Sequence, residues 1–275
     1  MVPDSVPEDE PLMDSEPRSY RVNVLDRAVA VLKAFSHAEP DLTLSEIAQR
    51  AGLHVSTCLR LLSTLRSHGL VSRNEEDGRF HLGYEIIAIA EIARSGNGLI
   101  DWAMPAMQEL AEQFDETVVL SVRSGDFRID IEQIVGQQPV RRVVTLGERR
   151  PLYAGGASRI LLSGFTDEQL NAYLERVPLK KLGEQTITDP DCLRAKLADI
   201  RRDRYTESTN EQSNSGAAGV AAGIYGARDE IVGVVGVSVP QFRLTPALRA
   251  QLIPAVLAAA ARISRKLGGK GSNRT

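Results

Sequence analysis

The 275-residue chain contains few of the residues from which disulfide frameworks, metal sites and membrane anchors are built. Its two cysteines, Cys58 and Cys192, are far apart and lack the paired spacing of a zinc site. No uninterrupted apolar stretch reaches the ~18 residues that a membrane-spanning helix needs, and the N-terminus lacks the basic start and apolar middle of a signal peptide. We therefore expect a cytoplasmic protein with no metal, no cofactor and no membrane partner.

Histidine is equally scarce, and all four histidines lie before residue 82. The rest of the chain therefore has no histidine for a Ser-His-Asp triad or a histidine metal site. Residues 154–158 do not match the G-x-S-x-G pattern of a nucleophilic serine, and residues 267–272 lack the ending of a phosphate-binding loop. These absences argue against an enzyme.

The formal net charge of -3 conceals an uneven distribution along the chain. Residues 1–17 contain six acidic and no basic side chains, so the remaining residues sum to a net charge of +3. Because this acidic segment is rich in proline and poor in apolar residues, it is predicted to be a disordered tail. The remainder is long enough for two domains, followed by a short flexible tail at residues 269–275.

Apolar residues at helical spacing predict three short helices in the first domain. The first begins near Val24, the second spans Leu44–Ala51 with Thr43 or Ser45 as its N-cap, and the third runs from Val55 to about residue 68. Gly52 separates the second helix from the third. Two short helices joined by a tight glycine turn are typical of a helix-turn-helix, whose second helix enters the major groove of DNA.

Two short strands are predicted directly after these helices, at residues 70–73 and 79–82, around a turn that contains Asp77 and Gly78. This hairpin corresponds to a wing and completes a winged helix-turn-helix over residues 18–83. Residues 84–95 form an apolar-rich helix that we expect to link the domains, within a linker that extends to residue 98. The candidate DNA-binding residues are His54, Ser56, Thr57, Arg60 and Ser63 on the third helix, and Arg73 and Arg79 on the wing.

The second half of the chain alternates strand and helix patterns. A helix at 101–115 precedes three predicted strands, TVVLSV, FRIDIEQIV and VRRVVTL. Helices follow near 153–164, 166–176 and 189–203, then strands at about 218–226 and 230–238, and a final alanine-rich helix from Pro246 to Leu267. The pattern predicts an α+β domain in which an antiparallel sheet is flanked by helices.

Several motifs occur together in a characteristic order. LTLSEIAQRAGL, STCLRLLSTLRSHGLVSR and GRFHLG in the first half precede PLYAGGASRILLSG, ITDP, GAAGVAAGI and GVSVPQFRLT in the second. With these motifs the chain resembles the IclR family of bacterial transcriptional regulators, from about Val22 to Leu267. The resemblance implies a GAF-like effector domain over residues 99–268, a dimer or tetramer, and a ligand pocket between the sheet and its covering helices.

The resemblance also implies which residues contact the effector. A backbone turn at Gly155, Gly156 and Ala157 forms one wall of the pocket, Gly219, Val220, Gly236 and Ser238 form the opposite wall, and Ser208 lies in a polar loop that leads into it. The Gly155–Gly156 turn precedes a helix, so its backbone N–H groups either bind a carboxylate or belong to a simple close-packed turn. Arg142 and Arg150 are candidates to pair with an anionic ligand. Strand alternation predicts opposite faces for Arg141 and Arg142, and at most one inward-pointing arginine.

The chain departs from the family pattern at three glycines. Many relatives have cysteine at the position of Gly219, proline at Gly223 and serine at Gly236. Three glycines predict a wider and less polar pocket, and hence an effector larger than glyoxylate or pyruvate, such as an aromatic acid. The sequence thus predicts a transcriptional repressor or activator whose affinity for double-stranded operator DNA depends on a small organic effector. The alternatives are a C-terminal domain that only dimerises, or an enzyme of sensor-like fold.

Overall fold

The computed structural model describes residues 22–96, 98–213 and 215–269. The acidic tail predicted at residues 1–17 and most of the predicted C-terminal tail lie outside the described residues. The chain divides into two compact units between Arg94 and Ser95. Each unit has buried apolar clusters of its own, so each is described separately.

The first unit contains the three predicted helices and the predicted hairpin. Helices α1 (Asn23–Leu32), α2 (Leu44–Ala51) and α3 (Val55–Ser67) precede strands β1 (Val71–Arg73) and β2 (Phe80–Leu82), and α4 (Glu85–Ser95) follows. Ile47, Cys58 and Leu62 are among the side chains that form its buried core. Leu42 exchanges two backbone hydrogen bonds with Phe80, which attaches the wing to the segment before α2. The predicted winged helix-turn-helix is confirmed.

Helix α2 begins with a capping box, which decides between the two N-caps that the sequence allowed. The hydroxyl of Thr43 accepts a hydrogen bond from the backbone N–H of Glu46, and the Glu46 carboxylate accepts one from the backbone N–H of Thr43. The hydrogen bond from the Thr43 backbone, followed by that from its hydroxyl, lowers the pKa of Glu46. The helix ends at Gly52, whose φ of 64° lies in the left-handed region that favours glycine.

Replacing Thr43 by Ala is expected to destabilise α2 by about 1 kcal/mol, because the helix loses a hydrogen-bonded N-cap. The measurement is hydrogen–deuterium exchange of the α2 amides, which should accelerate about fivefold in the variant. Thr64→Ala is the matched control, because the Thr64 hydroxyl bonds only to the Arg60 carbonyl one turn earlier on an exposed helix face. Equal exchange in both variants would show that the capping box does not stabilise the helix.

The second unit contains a six-stranded sheet. Its helices are α5 (Gly98–Phe114), α6 (Gly156–Ser163), α7 (Asp167–Arg176), α8 (Pro190–Asp203) and α9 (Pro246–Lys266). Its strands are β3 (Thr117–Ser124), β4 (Phe127–Ile134), β5 (Arg149–Pro151), β6 (Tyr205–Thr209), β7 (Ala217–Tyr225) and β8 (Ile231–Pro240). The strand order is β5-β4-β3-β8-β7-β6, and every neighbouring pair is antiparallel. The predicted α+β class is confirmed.

The two faces of this sheet carry different layers. Val118, Val220 and Val237 point to the face that packs with α5 and α9, whereas Ala221 and Val234 belong to the cluster with α6, α7 and α8. Within the described ranges, α9 is the one helix long and apolar enough to cross a bilayer. Its buried side chains pack against the sheet in the first cluster, as in the core helix of a soluble domain.

The strand predicted at VRRVVTL is wrong. Residues 140–146 form no strand, and the third strand of this region is β5 at Arg149–Pro151. The side-chain amide of Gln133 explains the difference, because it donates to the Val144 carbonyl (2.8 Å) and accepts from the Val144 N–H (3.0 Å). The backbone groups of Val144 are therefore bound by the Gln133 side chain at the end of β4 and not by a neighbouring strand. The sequence prediction also missed β6, an edge strand of largely polar residues.

Candidate functional sites

Helix α3 presents a polar face with a defined N-terminal end. His54 is its N-cap, and the His54 Nδ1 atom accepts a hydrogen bond from the Ser56 N–H (3.3 Å) and lies 2.7 Å from the Ser56 hydroxyl oxygen. Ser56, Arg60 and Ser63 are exposed, while Thr57 is half-buried at the edge of the face. Four of the five predicted α3 residues therefore share one accessible surface.

Arg60 occupies the middle of this surface. In the part of the chain that the structure describes, its guanidinium makes no ion pair or hydrogen bond, so its donors are available for another molecule. Leu59, 50% exposed, lies beside it, and Val55 is 43% exposed at the start of the helix. Leu59 was not among the predicted DNA-binding residues, although apolar side chains off the buried stripe of a recognition helix, like that of Val55, are suited to thymine methyl groups.

The two wing arginines contact their own domain. Arg73 donates through Nε to the Gly78 carbonyl (3.0 Å) and stacks on the Phe80 ring. Arg79 donates to the Asp41 carbonyl (3.1 Å) and pairs with the Glu46 carboxylate (3.4 Å). Arg73 thus stabilises the hairpin of the wing internally, whereas Arg79 connects the wing to the segment before α2 and to α2 itself. Both guanidinium groups are engaged within their own domain, in contrast to that of Arg60.

A cavity of about 300 Å³ opens on the sheet face that carries α6. Its floor follows the cross-strand row that joins Ser208, Gly219 and Ser238. The structure brings together all ten residues that the sequence analysis selected, which are Arg142, Arg150, Gly155, Gly156, Ala157, Ser208, Gly219, Val220, Gly236 and Ser238. These residues come from β5, β6, β7, β8, the start of α6 and the segment before β5.

Two expectations about the cavity wall need correction. Gly223 does not line the cavity, because the place of its missing side chain is taken by the Tyr225 ring. At Gly219 an added Cβ would lie 2.5 Å from the Val237 carbonyl oxygen, so glycine permits close strand approach there rather than widening the cavity. Val220 contributes only backbone, since its side chain belongs to the core on the opposite face.

The cavity is also more polar than the sequence indicated. Ser121 and Asp130 on β3 and β4 line it, and the Ser121 hydroxyl donates to the Asp130 carboxylate (2.6 Å). Arg128 Nη2 donates to the other Asp130 oxygen (3.1 Å). These residues were not among the predicted effector contacts, since the sequence pattern of β4 predicts a strand but not which of its side chains face a cavity. The signal in the sequence was the pair of charged residues Arg128 and Asp130, two positions apart and therefore on the same face of β4.

Three arginines converge on the cavity, so the expectation of a single inward arginine is wrong. Arg128 and Arg150 are directly opposite each other on β4 and β5, and Arg142 lies close enough to Arg150 for their charges to interact. The Nε atom of each is buried and has no hydrogen-bond partner within the described residues. Burial, followed by the charge of Arg150, lowers the pKa of Arg142. Arg141 is absent from the lining and donates to the Gln138 carbonyl instead.

These arginines differ in how their charge is balanced. Arg128 pairs with Asp130, and Arg150 Nη2 pairs with Glu148 (2.7 Å). Arg142 forms no ion pair with any described residue, and Nη1 donates only to the Ser215 carbonyl (3.3 Å). Because like charges repel and burial disfavours charge, this cluster favours an added anion.

The loop after β6 closes the α6 end of the cavity. The Glu211 carboxylate accepts a hydrogen bond from the Gly155 N–H (3.1 Å) and forms a buried ion pair with Arg159. Gln212 donates to the Ala154 carbonyl (2.9 Å) and accepts from Arg150 (3.3 Å). The Gly155 N–H, which the sequence left open as a ligand donor, is therefore bound by the chain itself.

Replacing Gly155 by Ala is expected to lower the stability of the second unit by about 1 to 2 kcal/mol. Gly155 has a φ of 90°, and an added Cβ would lie 2.5 Å from the Gln212 amide nitrogen. Gly125→Ala is the control, because Gly125 has a φ of 60° and nothing within 4 Å of the added Cβ. Thermal unfolding should show the larger loss for Gly155→Ala, and a larger loss for Gly125→Ala would contradict the steric account.

The fold and these two surfaces define a winged-helix transcriptional regulator with a separate sheet-based second domain. A family model for the IclR helix-turn-helix domain matches residues 24–75, and a model for the bacterial transcriptional regulator IclR C-terminal region matches residues 93–265. The chain belongs to the IclR family of bacterial transcriptional regulators.

Individual relatives agree with this assignment. The HTH-type transcriptional regulator KipR of Bacillus subtilis is 33% identical over 242 residues, which cover 88% of this chain and 96% of the relative. An IclR transcriptional regulator from Alicyclobacillus acidocaldarius has a similar structure, with a TM-score of 0.82, 26% identity, and coverage of 91% of this chain and 100% of that chain. The relatives are regulators, so the enzyme alternative is set aside.

A third relative contains a bound ligand. The structure of an IclR homolog from Microbacterium hydrocarbonoxydans, complexed with 4-hydroxybenzoate, matches with a TM-score of 0.75 and 25% identity. The match covers 89% of this chain and 98% of that chain.

Proposed function

We propose that this regulator binds a small organic acid, of the aromatic carboxylate class, and that the acid controls its affinity for operator DNA. The observation that carries the proposal is the cluster of Arg128, Arg142 and Arg150, whose buried Nε donors have no partner among the described residues. A carboxylate supplies both the acceptors and the opposite charge that such a cluster needs. Arg142 has the least internal compensation and is assigned as the main carboxylate contact.

The size of the cavity supports an acid with a ring. About 300 Å³ is at the lower end of the range of small-molecule sites, and it exceeds the needs of a two- or three-carbon acid. The Microbacterium relative was crystallised with 4-hydroxybenzoate, an acid of this size. In this assignment Ser208, Ser238 and the Gly156–Ala157 turn contact the rest of the effector, with Gly219, Gly236 and the Val220 backbone at the wall.

For DNA binding we propose that α3 lies in the major groove. Arg60 reads a base edge there, while His54, Ser56, Thr57 and Ser63 contact neighbouring bases or phosphates. The wing arginines Arg73 and Arg79 lie near the flanking phosphates and keep their contacts within their own domain. The protein acts in the cytoplasm as a repressor or an activator.

We further propose a homodimer or tetramer that reads paired half-sites. Ile87 on α4 is 65% exposed and Ile89 is also accessible, and Tyr84, directly before the helix, is 87% exposed. This part of the chain therefore carries apolar area that a second copy is suited to cover. The domain assignment is a winged helix over residues 18–83, a linker over 84–98 and the effector domain over 99–268. Effector binding then changes the arrangement of the two winged helices through the linker.

The test is a thermal-shift screen of the purified protein against organic acids, followed by operator-binding measurements with each acid that stabilises it. Aromatic carboxylates are expected to raise the melting temperature, whereas neutral alcohols of the same skeleton are not. The stabilising acid is expected to change operator affinity. Stabilisation by alcohols as strong as by acids, or an acid that binds without changing operator affinity, would contradict the proposal.

A further inference from the structure

Glu211 lies at the edge of the cavity and has a buried carboxylate. The proposed function assigns no role to this residue. Its side chain is within the protein interior, as is that of its partner Arg159. The carboxylate bonds on one side to Arg159 Nη2 (2.9 Å) and on the other to the Gly155 N–H (3.1 Å). It therefore supplies, from within the chain, the anion that the positive end of α6 and a buried arginine would otherwise attract.

The charges around the cavity leave one positive charge uncompensated. The charged side chains that line it are Arg128, Arg142, Arg150, Asp130 and Glu211. Their ion-pair partners add Arg159 and Glu148. Four arginines thus face three carboxylates, and the arginine without a carboxylate partner in the described chain is Arg142. Arg142 is half-buried, and its buried Nε donor has no partner among the described residues, so the cavity is matched to an effector with one negative charge.

A second carboxylate on the effector would meet Glu211. The α6 end of the cavity carries the Gly155–Gly156 turn, and Glu211 already binds the first N–H of that turn. An acid group directed to this end would lie beside a buried carboxylate whose own cation, Arg159, is already engaged. Like charges placed close together at a buried position repel strongly.

We propose that Glu211 is a specificity-determining residue that makes the cavity select monocarboxylates over dicarboxylates. The proposal rests on the proposed function, since it concerns the acid bound in the same cavity. Glu211 acts in two ways: it occupies the α6 end of the cavity, and it neutralises Arg159, which would otherwise be a second anion site. The effector class is thereby narrowed to acids with one carboxylate and an uncharged polar group at the other end.

The experiment compares two acids of nearly identical shape by isothermal titration calorimetry with the full-length protein. 4-Carbamoylbenzoate has one negative charge, and terephthalate has two. The wild-type protein is expected to bind 4-carbamoylbenzoate at least about tenfold more tightly, a modest figure for a like-charge contact in a buried site. Glu211→Gln is expected to reduce this preference by about tenfold, because it frees the charge of Arg159.

Two control variants separate charge from structure. Glu109→Gln makes the same chemical change at a carboxylate on α5 that is 60% exposed and does not line the cavity, and it is expected to leave the preference near the wild-type value because solvent screens that charge. The double variant Arg159→Met/Glu211→Gln removes both charges of the buried pair, and it is expected to keep the wild-type preference. Circular dichroism and melting curves establish whether each variant is folded. If Glu211→Gln is unfolded, the relative affinities of the wild-type protein and of the double variant for the two acids test the proposal.

The outcomes distinguish this proposal from the one on which it rests. If terephthalate binds the wild-type protein as tightly as 4-carbamoylbenzoate does, the proposed role of Glu211 is wrong, whereas the proposed binding of organic acids is unaffected. If the folded Glu211→Gln variant keeps the wild-type preference for the monocarboxylate, the proposed role of Glu211 is also wrong. If neither these two acids nor any other carboxylate in the screen binds, the proposed function fails and this proposal fails with it.

Discussion

Replacing Arg142 by Met is expected to weaken carboxylate effector binding by about 2 kcal/mol, or ~30-fold in Kd. Arg142 lines the cavity, its Nε is buried without a hydrogen-bond partner, and within the described chain it is the cavity arginine without a carboxylate. Met keeps much of the aliphatic volume and removes the charge. The measurement is titration calorimetry with the acid that stabilises the wild-type protein most strongly, supported by the operator response to that acid.

The same substitution should not destabilise the protein in the absence of the acid. Burial already disfavours the charged form of Arg142, as the lowered pKa of its side chain indicates. Arg141→Met is the matched control: it removes the same charge one residue away, from a side chain that bonds the Gln138 carbonyl outside the cavity. Equal loss of affinity in both variants would mean that the effect is a general loss of positive charge and would refute the assigned contact.

Replacing Arg60 by Ala is expected to lower affinity for the operator by ~1 to 3 kcal/mol and to relax sequence preference at particular base positions. Arg60 lies in the middle of the exposed face of α3, and no described residue engages its guanidinium. A long donor that is not held by its own domain is suited to pair with guanine. The measurement is operator binding at fixed salt on a set of single-base operator variants.

Arg27→Ala controls for charge, since Arg27 is an exposed arginine of the same unit that lies on α1 instead of α3. It is expected to weaken binding little and to leave base preference unchanged. Uniform weakening by Arg60→Ala on every operator variant would assign Arg60 to a phosphate. If Arg60→Ala binds the operator as tightly as the wild-type protein, the proposal that α3 contacts DNA through Arg60 is contradicted.

Elements whose signals are local could be predicted from the amino-acid sequence. The capped and glycine-terminated α2, the apolar stripe of α3 and the Asp77–Gly78 turn each depend on residues a few positions apart, so helix-turn-helix and wing were predicted nearly residue for residue. The family motifs likewise predicted the Gly155–Gly156 turn of the cavity and the opposite wall, because each motif is a short, contiguous stretch of sequence.

Contacts between side chains that are distant in the sequence depend on the three-dimensional fold. The valine-rich segment VRRVVTL is not a strand, because the Gln133 side chain, eleven residues before Val144, takes the place of a pairing strand. Arg128 enters the cavity because β5 aligns it with Arg150, and Glu211 reaches Gly155 across more than fifty residues. A single sequence does not show which distant residues become partners in a hydrogen bond or an ion pair. The chemistry of the cavity therefore became apparent only once the sheet had brought these groups together.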